Sequence, residues 1–109
     1  MTLRQKRVLF TKLIAELTLW IFEQGYEVAY DRDGLTHKTG SLHYIGLAHD
    51  LILYKDSKWL TDSEEYKFAG EKWKSMHELC RWGGDFDFNH DGKKGDDGNH
   101  FSITYEGRA

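Results

Sequence analysis

The hydrophobic pattern is clearest toward the N-terminal end of the chain. From Arg4 to Gln24 the residues Leu9, Phe10, Leu13, Ile14, Leu17, Trp20 and Ile21 recur at three and four, with charges between them. That spacing predicts an amphipathic helix with one face on a core, and Gly25 is suited to end it. Tyr26 to Tyr30 reads as a short strand and Asp31 to Ser41 as a polar loop. Leu47 to Tyr54 is the clearest strand, followed by a turn at Lys55 to Lys58 and a short partner at Trp59 and Leu60. Thr61 and Glu64 have the Thr-x-x-Glu spacing of a capping box. Beyond them Tyr66, Phe68, Ala69 and Trp73 form a second helical stripe that runs to about His77. Arg81 and Trp82 begin another strand, Gly83 to Gly98 is an Asp- and Gly-rich loop, and Phe101 to Tyr105 alternates as a closing strand. The simplest architecture is α+β: two main helices packed on a small, largely antiparallel sheet, in a single domain over residues 1–109.

Composition supports a packed globule, since 39% of the 109 residues are hydrophobic and 15% aromatic. With no proline and eleven glycines, turns fall to Gly, Asp and Asn. Trp20, Phe68 and Trp73 are expected in the core. The formal charge of -3, with signs interspersed, offers no broad basic field, so nucleic acid is not an expected partner. The single cysteine, Cys80, excludes an internal disulfide and any Cys-x-x-Cys site, and it reads as a packed thiol. The N-terminal stretch begins basic and turns apolar as a signal peptide does. Lys12, Glu16 and Glu23 interrupt it at helical intervals, so neither a signal core nor a membrane span is expected. A monomer kept in the cytoplasm, without stable membrane insertion, is the expectation.

Candidate chemistry lies in two segments. In SLHYIGLAHDL, His43 precedes a Gly-containing turn and Asp50 sits in the strand after it; imidazole nitrogen and carboxylate oxygen are both good zinc donors. Alternate strand residues face opposite ways, so Asp50 shares a face with Ala48 and Ile52. His49 points with Leu47, Leu51 and Leu53 toward the expected core, which argues against its binding the same ion. The best third donor is His100 in DDGNHFSI, directly after a Gly-Asn turn that can bring Asp97 to the same mouth. A carboxylate there can take a proton from activated water and return it to a leaving amine. On composition alone, the same residues also fit ordinary surface polarity.

The ordered motifs go further. Ser41-Leu42-His43-Tyr44-Ile45-Gly46-Leu47-Ala48-His49-Asp50 resembles the Ser-x-His-x-x-Gly-x-Ala-x-Asp signature of the zinc D-alanyl-D-alanine carboxypeptidase family, which includes the L-alanyl-D-glutamate endopeptidases that bacteriophages use as endolysins. Asp97-Gly98-Asn99-His100-Phe101 resembles its second signature, and Trp82-Gly83-Gly84-Asp85-Phe86 is similar to the Trp-Gly-Gly-Asp segment of phage-type members. The resemblance runs from near Arg32 to Ser102. It implies a fold shared with the hedgehog signalling domain, zinc on His43, Asp50 and His100, and Asp97 as general base. It further implies Arg32 on the substrate carbonyl or carboxylate, where it would steady the oxyanion, with Ser41 and Trp82 beside the substrate. Asp97, where many carboxypeptidase members have Glu, favours the endopeptidase branch.

The implied substrate is the peptide stem of peptidoglycan, cut at the L-alanyl-D-glutamate bond by a phage or prophage endolysin that reaches the periplasm once the inner membrane is breached. A D-Ala-D-Ala carboxypeptidase or dipeptidase, or a catalytically silent metal-binding module of the same fold, are the alternatives. His49 departs from the small apolar residue common before the metal Asp. Asp87, Asn89 and Asp91 have the Asp-x-Asn-x-Asp-Gly spacing that opens a calcium loop, so calcium is a candidate regulator, although Gly98 stands where the twelfth-position acid belongs.

Overall fold

The computed structural model describes residues 1–31, 42–86 and 97–108, with the side chains of His43 and Tyr44 outside that description. Helix α1 spans Leu3–Glu23. Thr2 caps it: its hydroxyl accepts from the Gln5 N–H at 3.1 Å and the Gln5 side chain accepts from the Thr2 N–H at 2.8 Å. The predicted stripe is the buried one, with Phe10, Leu13, Ile14, Leu17 and Ile21 all in the core. Leu9 and Trp20 pack at its margin. Gln24 is the C-cap, and Gly25 follows with φ +88°, the left-handed geometry a helix end favours.

Strand β1 (Glu27–Tyr30) pairs antiparallel with β2 (Ala48–Lys55), Val28 opposite Leu53 and Tyr30 opposite Leu51. Asp56 and Ser57, both with positive φ, then reverse the chain into β3 (Lys58–Trp59). Two left-handed residues in a two-residue loop match the twist of the flanking strands. A short turn of 3₁₀ helix, Ser63–Tyr66, leads into α2 (Lys67–Met76). The box that opens this turn lies one residue later than the Thr61–Glu64 spacing predicts: the Glu65 carboxylate accepts from the Asp62 N–H at 3.2 Å. Asp62 takes the extended backbone of a cap and is followed by two acids, which suit a helix start.

Strand β4 (Cys80–Trp82) and β5 (His100–Ile103) complete an antiparallel sheet ordered β1-β2-β5-β4, with β3 also on β2. The coarse expectation of two helices on a small antiparallel sheet therefore holds. Both helices cover the face that carries Leu47, Leu51, Leu53 and Phe101, each without solvent exposure. Trp73 of α2 meets Phe101 edge-on at 6.2 Å and Phe10 of α1 at 5.8 Å, tying both helices to the sheet. Its indole N–H donates to the Arg81 and Ser102 carbonyls, both at 3.0 Å. Phe68 stacks on Tyr26 at 4.4 Å, at the core's edge with Trp20.

The long strand β2 shares one of its edges between two partners. Tyr54 pairs with Glu27 on one side and Trp59 on the other, while Asp50 pairs with His100, so β3 and β5 follow one another along the same edge. Tyr66 fills the gap between them. Its hydroxyl accepts from the Leu53 N–H at 3.2 Å and donates to the Leu60 carbonyl at 2.8 Å. Burial holds this phenol above its ordinary pKa, against the opposing pull of the Leu53 N–H. Among the described residues no helix is long and apolar enough to cross a membrane.

Candidate metal centre

The sheet register makes the site. Asp50 of β2 lies directly opposite His100 of β5, and directly opposed residues of an antiparallel pair project from the same face with Cβ atoms about 5 Å apart. Their side chains meet, His100 Nδ1 standing 3.5 Å from Asp50 Oδ1. Asp97 joins them through a tight turn in which the His100 N–H donates to the Asp97 carbonyl at 3.0 Å. That turn brings Asp97 Oδ2 to 3.7 Å from the same ring nitrogen. One donor atom from each of Asp50, Asp97 and His100 lies within 4.8 Å of the others.

These separations suit a shared ion better than a closed ion pair. Charge-assisted N–H···O bonds draw in to about 2.7–2.9 Å, whereas both contacts here are longer. Donors on a tetrahedral ion with bonds of ~2.1 Å stand roughly 3.4 Å apart, close to the two distances found. One imidazole nitrogen and two carboxylate oxygens form a donor set that zinc accepts. Exposure is graded across the three: the His100 side chain is 7% exposed, Asp50 16% and Asp97 31%, so the group opens toward Asp97.

The turn carrying Asp97 is held by four separate elements. Its N–H donates to the Gly83 carbonyl at 3.2 Å, and the Asn99 carbonyl accepts from the Leu51 N–H at 2.8 Å. Between them, the Gly98 N–H donates to Ser63 Oγ at 3.0 Å and the Gly98 carbonyl accepts from the Trp82 indole N–H at 2.6 Å. A Cβ on Gly98 would sit 2.5 Å from Ser63 Cα, and one on Gly83 would strike the Asp97 carbonyl. Both positions must be glycine because backbone approaches backbone there.

Trp82, predicted beside the substrate, has this turn as its polar partner. It is 5% exposed and borders a cleft of about 740 Å³ also lined by Lys67 and Glu71. The Lys74 ammonium lies over its ring at 5.6 Å and is fixed there by Asp85 at 2.8 Å, which raises the Lys74 pKa. Ser63 is a supporting residue that the sequence does not announce. Its role depends on the loop before α2 meeting a turn thirty-five residues further along the chain.

His49 faces the other way, as strand alternation predicts. Its ring stacks on Tyr30 at 5.0 Å, 8° from parallel, and lies 5.6 Å from Phe10 of α1. Cys80 is buried, and burial pushes its thiol up to about 12, the state of a packed thiol and not of a nucleophile. Arg32, Ser41 and the calcium-loop residues Asp87, Asn89 and Asp91 lie outside the described residues, as does the side chain of His43, whose backbone belongs to a 3₁₀ turn over Leu42–Ile45. No family model, curated protein or solved structure matches the chain.

Proposed function

We propose that this chain is a zinc-dependent peptidase that hydrolyses an amide bond in the peptide stem of peptidoglycan, the L-alanyl-D-glutamate bond first among them. The observation that carries the metal part of this reading is the grouping of Asp50, Asp97 and His100 at the one place where β2, β5 and the Asp97 turn meet. The choice of substrate rests on the motif resemblance. Zinc held there supplies a Lewis acid that polarises the scissile carbonyl and makes water more acidic.

In this reading His43, Asp50 and His100 are the ligands, and Asp97, which its place in the group would also allow as a donor, is the base. Asp97 is the most exposed of the grouped donors, the position a proton carrier needs if it is to meet both water and the departing amine. His100 is nearly buried and locked into β5, as suits a ligand that must not move. Arg32 remains the proposed oxyanion partner.

The test is mass spectrometry of muropeptides released from purified peptidoglycan by the zinc-loaded protein, with Asp97→Ala as control. Fragments with a new N-terminal D-glutamate, lost in the variant, are the expected result. Wall hydrolysis unchanged in zinc-loaded Asp97→Ala would overturn the mechanism. Release of D-alanine alone would move the protein to the carboxypeptidase branch, and zinc binding without any product would make it a silent module.

A further inference from the structure

We infer that the cleft between Trp59 and the Asp97 turn is a subsite for an uncharged sugar ring, so that the substrate is the stem peptide still attached to its amino sugar. This rests on the peptidase reading above and adds to it which side of the scissile bond the protein grips. The cleft occupies the gap between β3 and β5 and has a volume of about 200 Å³. At ~30 Å³ per water, that is the room of six or seven waters, enough for one ring-sized group.

Its walls fit a pyranose. Trp59 forms one side and is 62% exposed, a large indole left in water on a two-residue strand. Such a ring is a platform for the C–H face of a sugar, apolar across its plane and polar at its edge. Tyr66 and Leu60 line the interior, with the Tyr66 hydroxyl already engaged at both ends, so that part presents apolar surface. Thr61, Ser63 and Asn99 add hydroxyl and amide groups of the kind that fix a ligand's orientation.

Charge decides which end of the substrate enters. Among the described residues Asp97 is the only charged one lining this cleft. A D-glutamate carboxylate placed there would face the Asp97 carboxylate, whereas an N-acetylated sugar carries no charge to repel. Register supplies the distance. Trp59 lies opposite Tyr54, and Tyr54 shares its face with Asp50 four residues along β2. At ~3.3 Å per residue the Trp59 position is about 13 Å along the strand from that of Asp50, a separation of the order spanned by a sugar ring and the short linkage that joins it to the first amide bonds.

The experiment compares two substrates on the zinc-loaded protein: a muropeptide carrying N-acetylmuramic acid, and the same stem peptide with an acetyl cap in place of the sugar. For the unaltered protein, KM should be about tenfold lower with the sugar, the order of one ring stacked on an indole. Trp59→Ala should erase that ratio while leaving kcat on the capped peptide unchanged, and Trp59→Phe should restore part of it. Equal KM values in the unaltered protein, or a ratio that survives Trp59→Ala, overturns the subsite alone. Zinc-loaded protein that cuts neither substrate overturns the peptidase reading and the subsite with it.

Discussion

His49 and Asp50 are adjacent on β2, yet they belong to different environments. The His49 side of the strand, with Leu47, Leu51 and Leu53, is closed by the helices, and the His49 ring lies against Tyr30 and Phe10. On the Asp50 side the opposing residue is His100, and the contacts are imidazole and carboxylate at 3.5 and 3.7 Å. A single-residue step therefore separates packing from chemistry. The two sides are also secured differently: the core face by buried area, the site by backbone bonds into one turn.

The largest effect should come from breaking the seat of that turn. Gly83→Ala drives a methyl group into the Asp97 carbonyl and toward His100 Cβ, an overpacking against backbone that cannot turn aside. A loss of about 3 kcal/mol in unfolding free energy is expected, together with loss of the zinc binding proposed for this group. Denaturant melts and competition with a chromophoric chelator measure both. A variant as stable as the parent that still bound zinc would show that the turn is not rigid.

Next in size is the direct test of the two neighbours. Asp50→Asn removes a charged donor and should lower zinc affinity by about 100-fold or more, since even indirect supports of a metal ligand are worth ~10–100-fold. His49→Phe keeps a ring between Phe10 and Tyr30; it should leave zinc affinity within about twofold and stability within ~1.5 kcal/mol. Equal zinc affinity in the two variants would dissolve the distinction between the faces.

This distinction was legible in the sequence because strand alternation is a strong rule: Asp50 with Ala48 and Ile52, His49 with the leucines. The α1 stripe and the closing strand at His100 were legible for the same reason, a period imposed on apolar residues. The Thr61-x-x-Glu64 spacing points one residue early because it overlaps Asp62-x-x-Glu65, and only the backbone of Asp62 decides between them. Ser63 and the task of Trp82 could not be read, since both depend on a contact between segments far apart in the chain. The glycines of Trp82-Gly83-Gly84 were visible, but their reason, the approach of Asp97, was not.

A smaller and more selective effect separates two buried tryptophans. Trp82→Phe leaves the Gly98 carbonyl without its indole donor, and Trp73→Phe removes the indole N–H that the Arg81 and Ser102 carbonyls share in addition to their strand pairing. Trp82→Phe should cost about 1–3 kcal/mol, the penalty for an unsatisfied buried acceptor, and Trp73→Phe about 1 kcal/mol, the loss of a hydrogen bond whose acceptors stay paired. Zinc affinity should fall about tenfold in Trp82→Phe alone, by analogy with other supports of metal ligands. If Trp73→Phe weakened zinc equally, the turn would depend on the core as a whole and not on its clamp.

The smallest effect tests the core face by pH. Cys80 packs there beside Ile103, and burial holds its thiol at about 12 against an ordinary 9.0. The unfolded chain therefore loses this proton first as pH rises. Stability is fully present below pH 9.0 and falls until the folded thiol also ionises near 12. At pH 10 the loss from this one group should be about 1.4 kcal/mol. Cys80→Ala lowers stability at pH 8 by leaving a small cavity, but it should lack this additional fall. The gap between the two proteins therefore narrows by that amount from pH 8 to pH 10, and parallel urea midpoints across that range would mean that Cys80 is less shielded than its place among Ile103 and Trp82 requires.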